Sequence, residues 1–148
     1  MAELRAGEDR SGIRLAVGHD LDLDDVIDVY RDSTIGQRRP VDDRERMAAM
    51  LANANLVVTA WYGNTLVGIA RSLSDFSYAT YLSDLAVRRS YQRRGIGRML
   101  IARTQHEGGS ARITLLAAPA AADYYPRIGM RRHDSAWCLS PDEELTAQ

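Results

Sequence analysis

The densest chemistry in this 148-residue chain lies between Arg88 and Arg98, where five arginines, Tyr91, Gly95 and Gly97 fall within eleven residues. Upstream, Leu82 to Val87 is a short apolar run with β character; downstream, Ile96, Met99 and Leu100 recur at helical spacing. A strand therefore passes through a glycine loop into a helix. Glycines at such a junction let backbone approach a ligand closely, and the first-turn N–H groups of a helix have no carbonyl partners of their own. The macrodipole adds about half a positive charge there, and Arg93, Arg94 and Arg98 supply mobile cations around it. That chemistry suits a pyrophosphate better than a neutral ligand. Arginines interleaved with a tyrosine also suit nucleic acid, and a solvated basic loop is the plain alternative. Neither explains why two glycines open an apolar helix at this point, whereas phosphate binding accounts for glycines and arginines together.

The second chemical candidate is Asp84. Strand alternation puts it on one face with Ala86, and Ser83, Leu85 and Val87 on the other. A carboxylate inside an apolar strand needs a partner or water. Asp84 could bind an ammonium, relay a proton through water, or satisfy a neighbouring arginine; the reading favoured here is a substrate-orienting or relay group rather than a direct base. An alkyl ammonium must first lose its proton, at about 4.6 kcal/mol at pH 7, and a nearby anion raises its pKa further. Tyr81 and Asp75 are weaker pocket candidates, and Trp61 and Trp137 read as packing aromatics. Cys138 is the only cysteine and sits in an apolar run, which predicts a buried structural thiol. His19, His106 and His133 lack ligand spacing, so no metal is implied.

Gln92-Arg93-Arg94-Gly95-Ile96-Gly97 matches the Gln/Arg-x-x-Gly-x-Gly/Ala signature of the GCN5-related N-acetyltransferases (GNAT), with the strand Leu85-Ala86-Val87 at the family's distance upstream. Downstream, Tyr124-Tyr125-Pro126-Arg127-Ile128-Gly129-Met130 resembles the family's Phe-Tyr-x-Lys-x-Gly-Phe segment. The resemblance covers roughly residues 13 to 139. It implies acetyl-CoA as cosubstrate, with pantetheine along the backbone of Leu85, Ala86 and Val87. Pyrophosphate would be held by Gln92, Arg93, Arg94, Gly95, Ile96, Gly97 and Arg98, and the Val87 amide would face the thioester carbonyl. It also implies Tyr125 as proton donor to the departing thiolate, and residues 30 to 45 as one wall of the acceptor site. A free phenol and a free thiol differ by about 1.5 pKa units, so complete transfer is uphill by about 2 kcal/mol unless the site shifts one of them. A hydrogen bond that steadies the thiolate is the safer description. Two departures stand out: Ala118 occupies the place of a cofactor-contacting asparagine, and Pro126 removes one N–H from the tyrosine segment.

The elements that must position these residues follow from pattern. Ile13 to Val17 reads as a first strand, and Asp22 caps a helix carrying Leu23, Val26, Ile27 and Tyr30 on one face. Residues 34 to 39 read as a loop, and a second helix runs from about Asp42 to Asn53. Leu56–Tyr62, Thr65–Leu73 and Tyr78–Val87 read as an antiparallel meander turned by Gly63-Asn64 and residues 74 to 77. The helix after the glycine loop should end near Glu107 at Gly108-Gly109; then come a strand Arg112–Ala118, a short helix Ala120–Arg127, and a last strand around Ala136–Leu139. The expected fold is α/β, a mixed and mostly antiparallel sheet flanked by helices and splayed centrally, as in the acyl-CoA N-acyltransferase (GNAT) fold.

Size and composition permit this. The length suits one domain, expected over residues 12 to 140, with a flexible segment 1 to 11 and a polar tail 141 to 148. Hydrophobic residues make up 45% and charged residues 26%, the balance of an ordinary globular protein. No apolar run is long enough to span a membrane and the N-terminus is too polar for a signal peptide, so a cytoplasmic location is expected. A net charge of −1 gives no global attraction to nucleic acid. All 19 basic residues are arginine, so the chain cannot acetylate a lysine of its own. The expected function is an acetyl-CoA-dependent N-acetyltransferase, with direct attack by a primary amine in a sequential mechanism. The acceptor would be a small molecule or peptide amine, with Asp75 and Asp84 leaning toward a cation. Many relatives dimerise, so a homodimer fits the resemblance. The alternative is a non-catalytic acyl-CoA-binding sensor or partner module.

Overall fold

A computed structural model describes residues 11–147. The flexible N-terminal segment expected over residues 1 to 11 lies outside the described residues except for Ser11. The chain divides into two compact units, the first ending at Leu116 and the second beginning at Ala117. Among the described residues no helix is long and apolar enough to cross a membrane.

The first unit is a five-stranded sheet in sequential order, β1 (Ile13–Val17), β2 (Leu56–Tyr62), β3 (Thr65–Ser74), β4 (Ala79–Val87) and β5 (Arg112–Thr114), antiparallel except for the β4–β5 pair. Leu56 to Ala60 of β2 and Leu66 to Ser72 of β3 are buried without alternation, because helices cover both faces. On one face lies α1 (Leu23–Asp32), started by the Asp22 carboxylate accepting from the Asp24 amide at 2.8 Å. With it lies α2 (Arg44–Asn53), capped by Asp43 accepting from the Arg46 amide at 3.0 Å. Val26, Val29 and Tyr30 of α1 and Met47 and Leu51 of α2 join Val57, Leu66, Ile69 and Ala86 in one apolar cluster. On the other face α3 (Ile96–Glu107) buries Ile96, Leu100, Ile101 and Thr104. Leu100, fully buried, contributes about 2 kcal/mol by removal from water. Gly68 makes this close approach possible: a Cβ there would stand 3.1 Å from Leu100 Cδ1 and 3.3 Å from Ile96 Cγ2.

The meander and the helices before and after it follow the sequence pattern closely; four expectations do not. The strand expected over Arg112–Ala118 ends at Thr114, because β4 and β5 pair only at Ala79↔Arg112, Thr80↔Ile113 and Tyr81↔Thr114. Residues 34 to 38 wind into a 3-10 turn rather than an open loop. In the second unit the single short helix expected over Ala120–Arg127 is instead a 3-10 turn, Pro119–Ala121, followed by the four-residue helix α4 (Tyr124–Arg127), and Ala136–Leu139 forms no strand. An extended run becomes a strand only where another edge supplies its hydrogen bonds, and this run has no ladder. Its residues are correspondingly open: Trp137 is 93% exposed and does not pack, and Cys138 is exposed rather than buried.

Candidate active site

A bulge in β4 sets the geometry. The β3–β4 register runs from Gly68↔Val87 to Arg71↔Asp84 and then shifts to Ser72↔Leu82, leaving Ser83 as the extra residue. Below the bulge the Arg88 amide donates to the Val67 carbonyl at 2.9 Å, which makes that pair a hydrogen-bonded one. By the alternation of an antiparallel ladder, Ala86 and Asp84 are then also bonded to β3, while the N–H and C=O groups of Leu85 and Val87 face the other edge. That edge carries no partner from β5, whose ladder stops at Tyr81. The first unit therefore has a strip of open sheet edge beginning just past Ser83 and ending at Val87.

At Val87 the strip meets the glycine loop. Gln92 turns back and its Nε2 donates to the Val87 carbonyl at 2.9 Å, fixing the loop to the strand end. Arg93 has φ 64° and Gly95 φ 79°, both left-handed, the conformation from which anion-binding backbone nests are built. Gly95 is the N-cap of α3 and has no side chain to cap it, leaving the first-turn amides of Ile96, Gly97 and Arg98 without a side-chain acceptor at the cap. The arginines divide by role. Arg88 is structural: its Nε donates to the Leu66 carbonyl and its Nη1 to Asp28, both at 2.7 Å. Arg94 lies over the Tyr91 ring at 5.2 Å. Arg89, Arg93 and Arg98 form no ion pair among the described residues.

On the α1 face, beside the bulge, Asp84 is fully buried. Four groups donate to it: the Tyr30 hydroxyl and Arg71 Nε to Oδ2, both at 2.6 Å, and Arg39 Nε at 2.5 Å and the Ser83 hydroxyl at 3.2 Å to Oδ1. Ser83, expected on the opposite face, joins this network and also accepts from Arg71 Nη2 at 3.0 Å. Strict alternation misplaced it because the bulge inserts one residue. Burial alone would raise the Asp84 pKa; hydrogen bonds from Arg71 and Tyr30, the Arg71 charge and the Arg39 bond outweigh it, holding the carboxyl below its ordinary range. For Tyr30, burial and then the Asp84 charge and hydrogen bond push the phenol well above its ordinary value. Tyr30, Arg39 and Arg71 were not singled out from sequence as partners of Asp84. An arginine inside an otherwise apolar strand, as at Arg71, is the signal that could have pointed to a buried carboxylate.

The remaining sequence candidates are placed as follows. Asp75 accepts the amides of Ser77, Tyr78 and Ala79 at 2.9, 2.7 and 3.0 Å, and these bonds lower its pKa. It is the keystone of the β3–β4 turn. Tyr81 is 39% exposed. Trp61 packs against the core cluster, and its Nε1 donates to Thr59 Oγ1 at 2.8 Å. A cavity of about 190 Å³ lies beside it, lined by Arg14, Gly18, Asp20, Leu21 and Thr59, at the β1 edge of the sheet and so remote from β4. In the second unit Tyr125 is half-buried in α4, edge-on to the Tyr124 ring at 5.2 Å, and Gly129 at φ 95° ends the segment. No group of His, Cys, Asp and Glu able to hold a metal occurs among the described residues.

An open strand edge running into an uncapped helix start is what a long extended ligand with a phosphate end would need. The GNAT acetyltransferase domain pattern matches residues 30–138. The chain belongs to the GNAT acetyltransferase family. The GNAT fold is shared with a GNAT-family acetyltransferase from Streptococcus pneumoniae, at TM-score 0.70 and 22% identity, over 89% of this chain and 99% of that one. An aminoglycoside acetyltransferase from an uncultured soil metagenomic sample superposes at TM-score 0.66 and 22% identity, over 91% of this chain and 99% of that one. The aminoglycoside N-acetyltransferase AAC(6')-Iy, whose structure contains CoA, superposes at 0.66 and 15% identity, over 88% and 95% of the two chains. At these identities the likeness establishes the GNAT architecture, an acyltransferase fold.

Proposed function

We propose that this GNAT protein is an acetyl-CoA-dependent N-acetyltransferase in which a primary amine attacks the thioester directly. The single observation that carries this reading is the open edge of Leu85 and Val87 continuing into the uncapped start of α3. Leu85 and Val87 would hold the pantetheine arm as an added strand, with Ala86 as the spacer whose own N–H and C=O belong to the β3 ladder. Amides from Arg93 to Arg98, with the Arg93, Arg94 and Arg98 side chains, would hold the diphosphate. The bound cosubstrate supplies an activated acetyl group on sulfur.

An edge-facing amide of this strip, that of Leu85 nearer the bulge rather than the Val87 amide the resemblance implied, would donate to the carbonyl oxygen as negative charge develops on it. The amine nitrogen bonds to the carbonyl carbon, the carbon–sulfur bond breaks, and Tyr125 would steady the departing thiolate with its phenolic proton. The proton lost by the attacking amine goes to water. Asp84 is assigned to positioning: its carboxylate already receives four donors, so it has no vacant lone pair for an ammonium and no drive to take a proton. No cysteine stands in either family segment, so no acetyl-enzyme is expected.

Initial-rate kinetics with acetyl-CoA and a varied amine should give intersecting patterns, and Tyr125→Phe should lower kcat about a hundredfold while acetyl-CoA binding is retained. Parallel ping-pong lines with an isolable acetyl-enzyme would overturn the mechanism. If no amine in a broad panel releases CoA and Tyr125→Phe changes nothing, the chain is instead an acyl-CoA-binding sensor.

A further inference from the structure

The polar network beside the bulge carries a charge imbalance. Arg39 and Arg71 share the single carboxylate of Asp84, and Tyr30 is a neutral phenol, so two guanidinium groups and one carboxylate leave one positive charge uncompensated. The excess lies toward solvent, since the side chain of Asp84 is 0% exposed, that of Arg71 10% and that of Arg39 19%. Arg39 also has donors to spare. Of its five N–H groups, Nε is spent on Asp84, one on Nη1 goes to the Arg38 carbonyl at 2.9 Å and one on Nη2 to the Ser83 carbonyl at 2.7 Å. One N–H on each terminal nitrogen is left, two donors that a carboxylate can accept from. The guanidinium is held rigidly by these three bonds, so little side-chain freedom is lost when a ligand binds.

Its position is equally specific. An extended cosubstrate arm held from the phosphate loop along Val87 and Leu85 would run toward Ser83, which would bring its acyl end to the bulge. Arg39 is bonded to the Ser83 carbonyl, two residues from Leu85, or about 7 Å along a strand. An acceptor arriving at that acyl end would therefore meet Arg39. The adjoining Arg38 is exposed and without an ion-pair partner among the described residues, while Asp42, on the same connection, is engaged by Arg31 at 2.8 Å. Both acids that leaned toward a cationic acceptor are occupied, Asp84 by two arginines and Asp75 by a turn.

We propose that Arg39 is the specificity-determining residue of the acceptor site, and that the acceptor is an amine bearing a carboxylate close to its amino group. The inference rests on the N-acetyltransferase reading above. On this account polycationic amines are poor acceptors, whatever the fold's aminoglycoside-modifying members accept.

The test compares each of a set of L-amino acids and dipeptides with its own C-terminal carboxamide, alongside sisomicin and spermidine. CoA release is followed, and binding is measured by calorimetry to the full chain with and without CoA. The carboxylate members should show kcat/KM at least about tenfold above their amides and bind more tightly, and the polycations should be the weakest. Arg39→Gln should erase the difference between acid and amide while leaving acetyl-CoA affinity unchanged, and Arg39→Lys should restore part of it; circular dichroism melts confirm that each variant is folded. Equal binding of acid and amide to the unaltered chain, or preference for sisomicin, overturns the proposal while leaving the transferase reading intact. A chain that does not bind acetyl-CoA at all sinks the transferase reading first, and this proposal with it.

Discussion

Arg39 and Arg71 converge on one buried carboxylate, whereas Arg93, Arg94 and Arg98 surround a helix start with no carboxylate among them. The two groups use the same residue type under opposite conditions. In the first, low exposure makes unmatched guanidinium N–H groups expensive toward the interior, so backbone carbonyls, Ser83 and Asp84 are recruited there and the spare donors of Arg39 lie at the rim. In the second, exposure lets unpaired cations persist at little cost, because water screens them until an anion arrives. Burial with pairing marks the arginine that builds this protein, Arg71; exposure marks those of the loop available to a ligand, and Arg39, paired but at the rim, does both.

That contrast can be broken most forcefully at Asp84. Asp84→Ala leaves two arginines and a phenol facing an empty buried site, and unfolding by urea should show a loss of about 3–5 kcal/mol. Removing Arg93 and Arg98 together should do the reverse: stability stays within about 0.5 kcal/mol, while acetyl-CoA affinity falls about tenfold or more at low salt and less as salt is raised. If the double variant unfolds and Asp84→Ala does not, the division is wrong.

Titration sharpens the comparison from another side. The Asp84 pKa is lowered on folding, so its stabilisation is present above the ordinary aspartate value of about 3.9 and is lost as pH falls below it. The Tyr30 pKa is raised, so its contribution is complete below about 10 and is lost as pH climbs beyond that. Thermal melts should therefore show a plateau in Tm bounded by an acid limb and an alkaline limb, with both limbs flattened in Asp84→Ala. The smallest expected effect is at Gly95, whose φ of 79° disfavours any side chain. Gly95→Ala should cost about 1 kcal/mol from strain alone, since nothing lies within 4 Å of the added Cβ.

Much of this was legible in the residues. The caps at Asp22 and the Gly63-Asn64 turn, and the end of α3 at Glu107, are local chemistry, and local chemistry is written in adjacent positions. The glycine loop was legible for the same reason. The Asp84 network was not, because its members come from α1, the residue closing the 3-10 turn, β3 and β4 and meet only in the folded chain. The bulge at Ser83 was hidden too: a one-residue register shift leaves no mark on an alternating pattern until two strands are laid side by side. The segment Ala136–Leu139 misled in the other direction. Its apolar run has strand composition, but composition supplies no neighbouring edge, and Cys138 and Trp137 are exposed in consequence.

The exposure of Cys138 reaches into any experiment on this protein. Reagents that count liberated CoA through its sulfhydryl will react with Cys138 as well, giving one equivalent per polypeptide before turnover begins. The same solitary thiol offers a place in the second compact unit to attach one dye and no more.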